Sequence, residues 1–218
     1  MEERDIHWSI QLETLIASEG EKARGLAYIH NRCEQIYNKK NNYLTIPIIV
    51  ASTLAGTASV GSTTLFPDDT KVGSIVIGLI SISVGILNTI NSYFAFAKKA
   101  EAHRIAYLQY SKLFSMISIE MSLPRNERQE PEHILTQLRQ TMERLAETTP
   151  SPIPSVLDEF NQKFKDKYTD VARPSEVNGL QKIVIFRNPS NQALPEIVTP
   201  KNISIEVDKQ KDETTSHP

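Results

Sequence analysis

The chain has 218 residues, enough for one compact domain with appendages. Its 24 Lys and Arg against 26 Asp and Glu leave a net charge of −2, so no global field favours nucleic acid. The single cysteine, Cys33, excludes an internal disulfide and any multi-cysteine metal or redox centre, and reads as a small buried apolar residue.

The N-terminal segment, beginning Met1-Glu-Glu-Arg, lacks the basic start and apolar core of a signal peptide. Trp8, Leu12, Leu15 and Ile16, then Leu26, Ile29, Cys33, Ile36 and Tyr37, recur mostly at spacings of three and four. That pattern predicts an amphipathic helix over 5–40, softened in its middle by Gly20 and Gly25. Asn41 and Asn42 are expected to interrupt it, with Pro47 turning Ile46 from helical geometry and Thr45 capping a new helix.

Two runs then carry no charged residue, 41–67 and 72–97. Each exceeds the roughly 20 apolar residues that a helical bilayer span requires. They predict a transmembrane hairpin over 43–97, with spans at about 45–66 and 72–97, in which the first span is its own insertion signal. Lys39, Lys40, Lys98 and Lys99 flank the hairpin, whereas the turn Pro67-Asp-Asp-Thr-Lys71 holds one base and two acids, so both termini are expected to be cytosolic. Small residues recur four apart, in Ala51 with Ala55, Ser52 with Gly56, Ser74 with Gly78 and Ser81 with Gly85. Such pairs let helix backbones approach, so packing within the hairpin is preferred to a polar pore lining. Asn88 and Asn91 share a face and are expected to hydrogen-bond across helices.

Beyond the second span, Ala102, Ile105, Ala106, Leu113, Met116 and Ile117 extend the helical pattern to about Met121. Two more amphipathic stripes follow, through Ile134, Leu138, Met142 and Leu145 and through Ile153, Val156, Leu157, Phe160 and Phe164, separated by Thr149-Pro-Ser-Pro-Ile-Pro154. No stripe buries itself alone, so 98–166 is expected to form a cytosolic helical bundle. The overall class is an all-α membrane protein, ending in an extended tail over 167–218. Only 182–186 and 202–207 look like strands there, with Ile183, Ile185, Ile203 and Ile205 alternating. So polar a tail is expected to need a partner to order it, for which strand addition is one route.

Chemistry is sparse. No phosphate-cradling GxxxxGK, HExxH or GxSxG is present, which points away from an enzyme, and no catalytic residue, cofactor or metal ligand set is predicted. Glu101, His103 and Arg104 cluster beyond the second span, where interfacial salt bridging is the simplest role. His7, His30, His133 and His217 are dispersed, so a metal site would need a tertiary coincidence. Asn202-Ile-Ser204 is a glycosylation sequon that cytosolic topology leaves unmodified.

Several ordered motifs carry a resemblance: Asn38-Lys-Lys-Asn-Asn-Tyr-Leu-Thr-Ile-Pro47, Leu54-Ala-Gly-Thr57, Ala100-Glu-Ala-His-Arg-Ile-Ala106, Tyr110-Ser-Lys-Leu113 and Glu120-Met-Ser-Leu-Pro-Arg125. Over roughly 5–165 the chain resembles the SLATT-like two-transmembrane proteins, especially those of large double-stranded DNA viruses of algae and protists. For the viral proteins the resemblance implies a structural role in a virion's internal membrane, with residues 168–218 gripping capsid proteins or other virion components. For the bacterial relatives, associated with nucleotide-sensing conflict systems, it implies a membrane-disrupting or pore-forming effector. Besides the lipid bilayer, the expected partners are those virion components and further copies of the chain, joined through small-residue helix faces.

Overall fold

The computed structural model describes residues 7–61, 70–165, 170–179 and 183. By its contacts the chain divides into Met1–Gln181 and Lys182–Pro218. All the described helices belong to the first unit. In the second only Ile183 is described, so both expected strands otherwise lie outside the described residues.

The first helix, α1, runs unbroken over Ile10–Val60, 51 residues. Ser9 caps it, its side chain accepting a hydrogen bond from the Leu12 N–H at 3.2 Å. The expected interruption at Asn41 and Asn42 does not occur. Instead of competing with the backbone, the Asn41 side chain accepts from the Thr45 hydroxyl one turn on, at 3.4 Å. Thr45 is therefore no cap, and Pro47 lies inside the helix. An interior proline loses one backbone bond and crowds the carbonyl one turn back, and such residues are tolerated in apolar helices packed on a neighbour.

α2 covers Thr70–Phe94 and α3 covers Phe96–Ser122. One residue separates them: Ala95, left-handed at φ 48° and ψ 43°. The hydrogen-bond ladder continues across it, from the Ala95 N–H to Asn91 O and from the Lys99 N–H to Ala95 O. α2 and α3 thus form one rod with a local offset, and α3 ends at the position the sequence predicts.

α1 packs antiparallel against this rod along most of its length. Gly20 lies against Ile117, His30 against His103, Tyr37 against Phe96 and Thr45 against Asn91. At about 1.5 Å per residue the pair exceeds 70 Å, more than twice the thickness of a bilayer's hydrocarbon core. Both helices contain a stretch long and apolar enough to cross a membrane, and only 11% and 6% of those apolar windows is buried. Core helices of soluble proteins bury such surface; here Ile46, Ile49, Leu54, Ile75, Leu79 and Ile82 stand exposed.

The half away from the apolar windows carries the core. Ile16, Ala23, Leu26 and Ala27 of α1 meet Tyr110, Leu113 and Ile117 of α3, and α4, Pro131–Thr148, closes over them with Ile134, Leu138 and Leu145. Gly20 serves close approach here, since a Cβ would sit 2.9 Å from Ile117 Cγ2. On another face, α5, Pro154–Phe164, sets Val156 and Phe160 against Ile29 and Cys33. Cys33 is fully buried, as its apolar reading requires; its sulfur accepts from the Ile153 N–H at 3.4 Å, and burial pushes the thiol pKa up. Proline begins both α4 and α5, where its missing N–H costs nothing. A last short helix, α6, spans Ser175–Asn178. The segment before it crosses α1 so closely that a Cβ on Gly25 would lie 2.6 Å from Pro174 Cγ.

The turn after α3 is tied to the start of α1 by charge. Glu13 accepts from Arg125 at 2.8 Å and from Arg128 at 2.6 Å, and Arg128 also donates to the terminal α3 carbonyls of Met121 and Leu123. Those guanidinium hydrogen bonds, Arg125 first, hold the Glu13 carboxyl down to about 2. Trp8 completes the knot, donating from Nε1 to Gln129 O while the Arg128 guanidinium lies 5.1 Å from its ring centre.

Candidate functional site

Three levels of the helix pair carry the residues singled out by sequence. Within the apolar segments, Ile48 and Ala55 of α1 and Ile77 and Val84 of α2 form the buried seam. Ala55 lies in that seam, as expected of its pairing with Ala51. Ser52, Gly56, Ser74, Gly78, Ser81 and Gly85 do not; all are exposed, and a Cβ on Gly56, Gly78 or Gly85 would meet nothing within 4 Å. Sequence spacing identifies a small-residue pair but not which way it faces. The hydroxyls here are satisfied within their own helices: Thr53 donates to Ile49 O, Thr57 to Thr53 O, Ser81 to Ile77 O and Thr89 to Gly85 O. Back-bonded in this way, a hydroxyl tolerates lipid without a polar neighbour.

At the end of the seam one of the two asparagines crosses between helices. Asn91 Nδ2 donates to Thr45 Oγ1 at 3.4 Å, and Thr45 passes the chain on to Asn41. Asn88, one turn earlier, is exposed instead. Asn91 Oδ1 is buried with no partner among the described residues.

Next comes a collar of lysines and aromatic rings. Lys40 and Lys99, from different helices, each bring Nζ to within 5.9 Å of the Tyr37 ring centre, and Lys40 is 5.9 Å from that of Phe96. Lys39 lies 5.9 Å from the Tyr43 ring. The left-handed Ala95 stacks Phe94 on Phe96, with centroids 5.3 Å apart and planes 1° from parallel. In an uninterrupted helix residues two apart point to nearly opposite sides, so the offset costing about 1–2 kcal/mol creates this stack. None of Lys39, Lys40, Lys98 and Lys99 forms an ion pair among the described residues. Glu101, the nearest acid in sequence, is gripped by Arg104 through two 2.7 Å hydrogen bonds. A groove of about 550 Å³ on α1 runs beside this level, with Glu34, Gln35, Asn38, Lys39 and Asn42 at its polar end and Tyr43, Ile46 and Pro47 at the other.

Below the collar the predicted ionisable cluster separates. Glu101 and Arg104 pair on the surface as expected, while His103 turns inward to His30, their Nδ1 atoms 2.8 Å apart and both side chains 1% exposed. One imidazole donates and the other accepts, so the contact requires both to be neutral or at most one charged. Tyr37 stacks on His103 and Tyr110 on His30, making a run of four rings between α1 and α3. Burial, and secondarily the facing His103, lowers the His30 pKa to about 4, and burial lowers that of His103. Sequence separation hid this pair. The available signal was their helical register, since each lies on the apolar stripe of its own helix.

Elsewhere a cavity of about 580 Å³ lies between α1, α3 and α5, walled by Tyr28, Tyr107, Phe114 and Phe160 with Arg24 and Arg173 at its edge. Among the described residues no three His, Cys, Asp or Glu side chains converge on a point that would hold a metal ion.

No family model matches the chain, and no curated protein or solved structure matches it.

Proposed function

We propose that this chain is a membrane anchor and tether. Its helix pair spans the bilayer with the collar at the cytosolic surface, both termini lie on that side, and residues 180–218, which follow the segment packed on α1 at Gly25, bind a protein partner. The observation that carries the reading is the continuity of the pair: the apolar helices leave the membrane still packed on each other, and about 30 residues of α1, roughly 45 Å, extend beyond the charge-free run. A stiff neck of that length displaces a binding segment from the surface. The resemblance to viral SLATT-like proteins supports capsid proteins as the partner, with the anchor in a virion's internal membrane.

Purified particles test this. The chain should be recovered in stoichiometric amounts with the shell, and deleting residues 180–218 should detach the capsid from its membrane; absence from particles would overturn the assignment. A cysteine at Asp69 should be labelled only from the exoplasmic side.

A second reading is favoured by one observation. Ser74, Gly78, Ser81, Gly85, Asn88 and Ser92 form an exposed stripe with alternating spacings of four and three along α2. That is the geometry of helix association, so several copies would meet there and either stiffen the anchor or surround a pore. Reconstituted protein that leaks dye or conducts ions would support the pore, and a silent bilayer at high protein density would leave the anchor.

A further inference from the structure

We infer that the collar is a binding site for an anionic phospholipid headgroup, with a phosphomonoester of the phosphatidic acid class as the fitting chemistry. The inference rests on the bilayer reading proposed for the helix pair. Lys40 on α1 and Lys99 on α3 both flank the Tyr37 ring, with Nζ 5.8 and 5.9 Å from its centre, so two ammonium groups from separate helices are gathered around one side chain. Among the described residues no carboxylate forms an ion pair with either, and Glu101, the acid nearest Lys99 in sequence, is held by Arg104. Like charges gathered without a counter-ion repel each other unless an anion is supplied.

The ring between them is fixed. Tyr37 stacks on the buried His103 at 5.4 Å with planes 15° apart, so the platform exists before any ligand arrives. The position of the collar identifies the source of the anion. It sits where the charge-free segments end, with Tyr43, Phe94 and Phe96 at the same level. A lipid phosphate lies at that level with its acyl chains beside the apolar segments, whereas a free anion has no reason to be confined there. A phosphomonoester offers several free oxygens to two ammonium groups, while phosphatidylcholine brings a cation of its own.

The full-length chain is reconstituted with phosphatidylcholine alone or doped with phosphatidic acid, and lipids retained on extraction are weighed by native mass spectrometry. Phosphatidic acid should be retained about tenfold over phosphatidylcholine, consistent with two lysines near a charged surface. Lys40→Gln with Lys99→Gln should abolish the preference and Lys40→Arg with Lys99→Arg should keep it. Lys112→Gln with Lys163→Gln, equal in charge but remote, should also keep it. An unselective wild type, an equal loss in the remote pair, or displacement of the lipid by inorganic phosphate would overturn the site. If the double Gln variant does not fold, the wild-type preference and its loss in Lys99→Gln alone decide. Failure to float with vesicles at all would sink the bilayer reading instead.

Discussion

Acidification should loosen the neck through His30 and His103. An ordinary histidine in the unfolded chain has a pKa near 6.5, whereas burial against His103 holds that of His30 at about 4. With the folded value depressed, the neutral pair contributes its full stability above pH 6.5. Below that, the unfolded state takes up protons that the folded state refuses, and stability falls until the pH reaches the folded value. At pH 5 the gap is about 1.5 units for His30, or roughly 2 kcal/mol, and His103 shifts in the same direction. For a bundle of this size that is a fall of roughly 4–8 °C in melting temperature. Glu13, depressed to about 2, loses its contribution as the pH falls from the ordinary carboxylate value of about 4.5 towards 2, so the interval between pH 7 and 5 isolates the histidines. The assay is thermal unfolding of the reconstituted protein across that interval, beside a variant with both histidines replaced by Phe. The variant keeps apolar rings in the stack and should lose the pH dependence while staying near wild-type stability at pH 7, since removing both hydrogen-bonding partners together costs little. An unfolding midpoint that does not move from pH 7 to 5 would refute the neutral buried pair.

Other substitutions probe the close contacts. Gly25→Ala puts a Cβ 2.6 Å from a proline ring that cannot rotate away, so it should cost about 1–3 kcal/mol and release residues 170–179 to hydrogen exchange. Gly85→Ala meets nothing within 4 Å and should gain about 0.5–1 kcal/mol of helix propensity in an isolated hairpin. A loss of crosslinked oligomer in Gly85→Leu would show that α2 uses this stripe for association. Glu13→Gln weakens the acceptor shared by Arg125 and Arg128, and should shift Trp8 fluorescence to the red as the turn over 123–130 detaches.

Much of this architecture is written in periodicity. The stripes through Leu26, Cys33, Leu113, Leu138 and Phe160 give the helices and their buried faces, because a side chain's fate in a bundle follows from its register. Breaks are harder to read. Asn41, Asn42 and Pro47 are locally disruptive, yet α1 passes through them, because Asn41 bonds to Thr45 and the packed partner helix holds both sides. The actual offset falls at Ala95, which no propensity scale marks; it sets Phe94 over Phe96 where Phe96 also meets Tyr37 of α1. The same limit hid the contact between His30 and His103, 73 residues apart, which depends on how their two helices are aligned.

That alignment has a mechanical consequence. Gly20 with Ile117, His30 with His103, Tyr37 with Phe96 and Thr45 with Asn91 belong to one antiparallel register that runs from the neck through the collar into the apolar segments. A helix pair slides or rotates as a whole because its interlocked side chains permit only discrete arrangements. Parting the four stacked rings therefore moves Tyr37, and with it the platform that gathers Lys40 and Lys99. It also strains the Asn91 to Thr45 contact, whose remaining acceptor, Asn91 Oδ1, is already unsatisfied. A displacement in the bundle is passed to the collar along this seam, so crosslinking α1 to α3 at the histidine level should slow exchange at the collar as well as around His30 and His103.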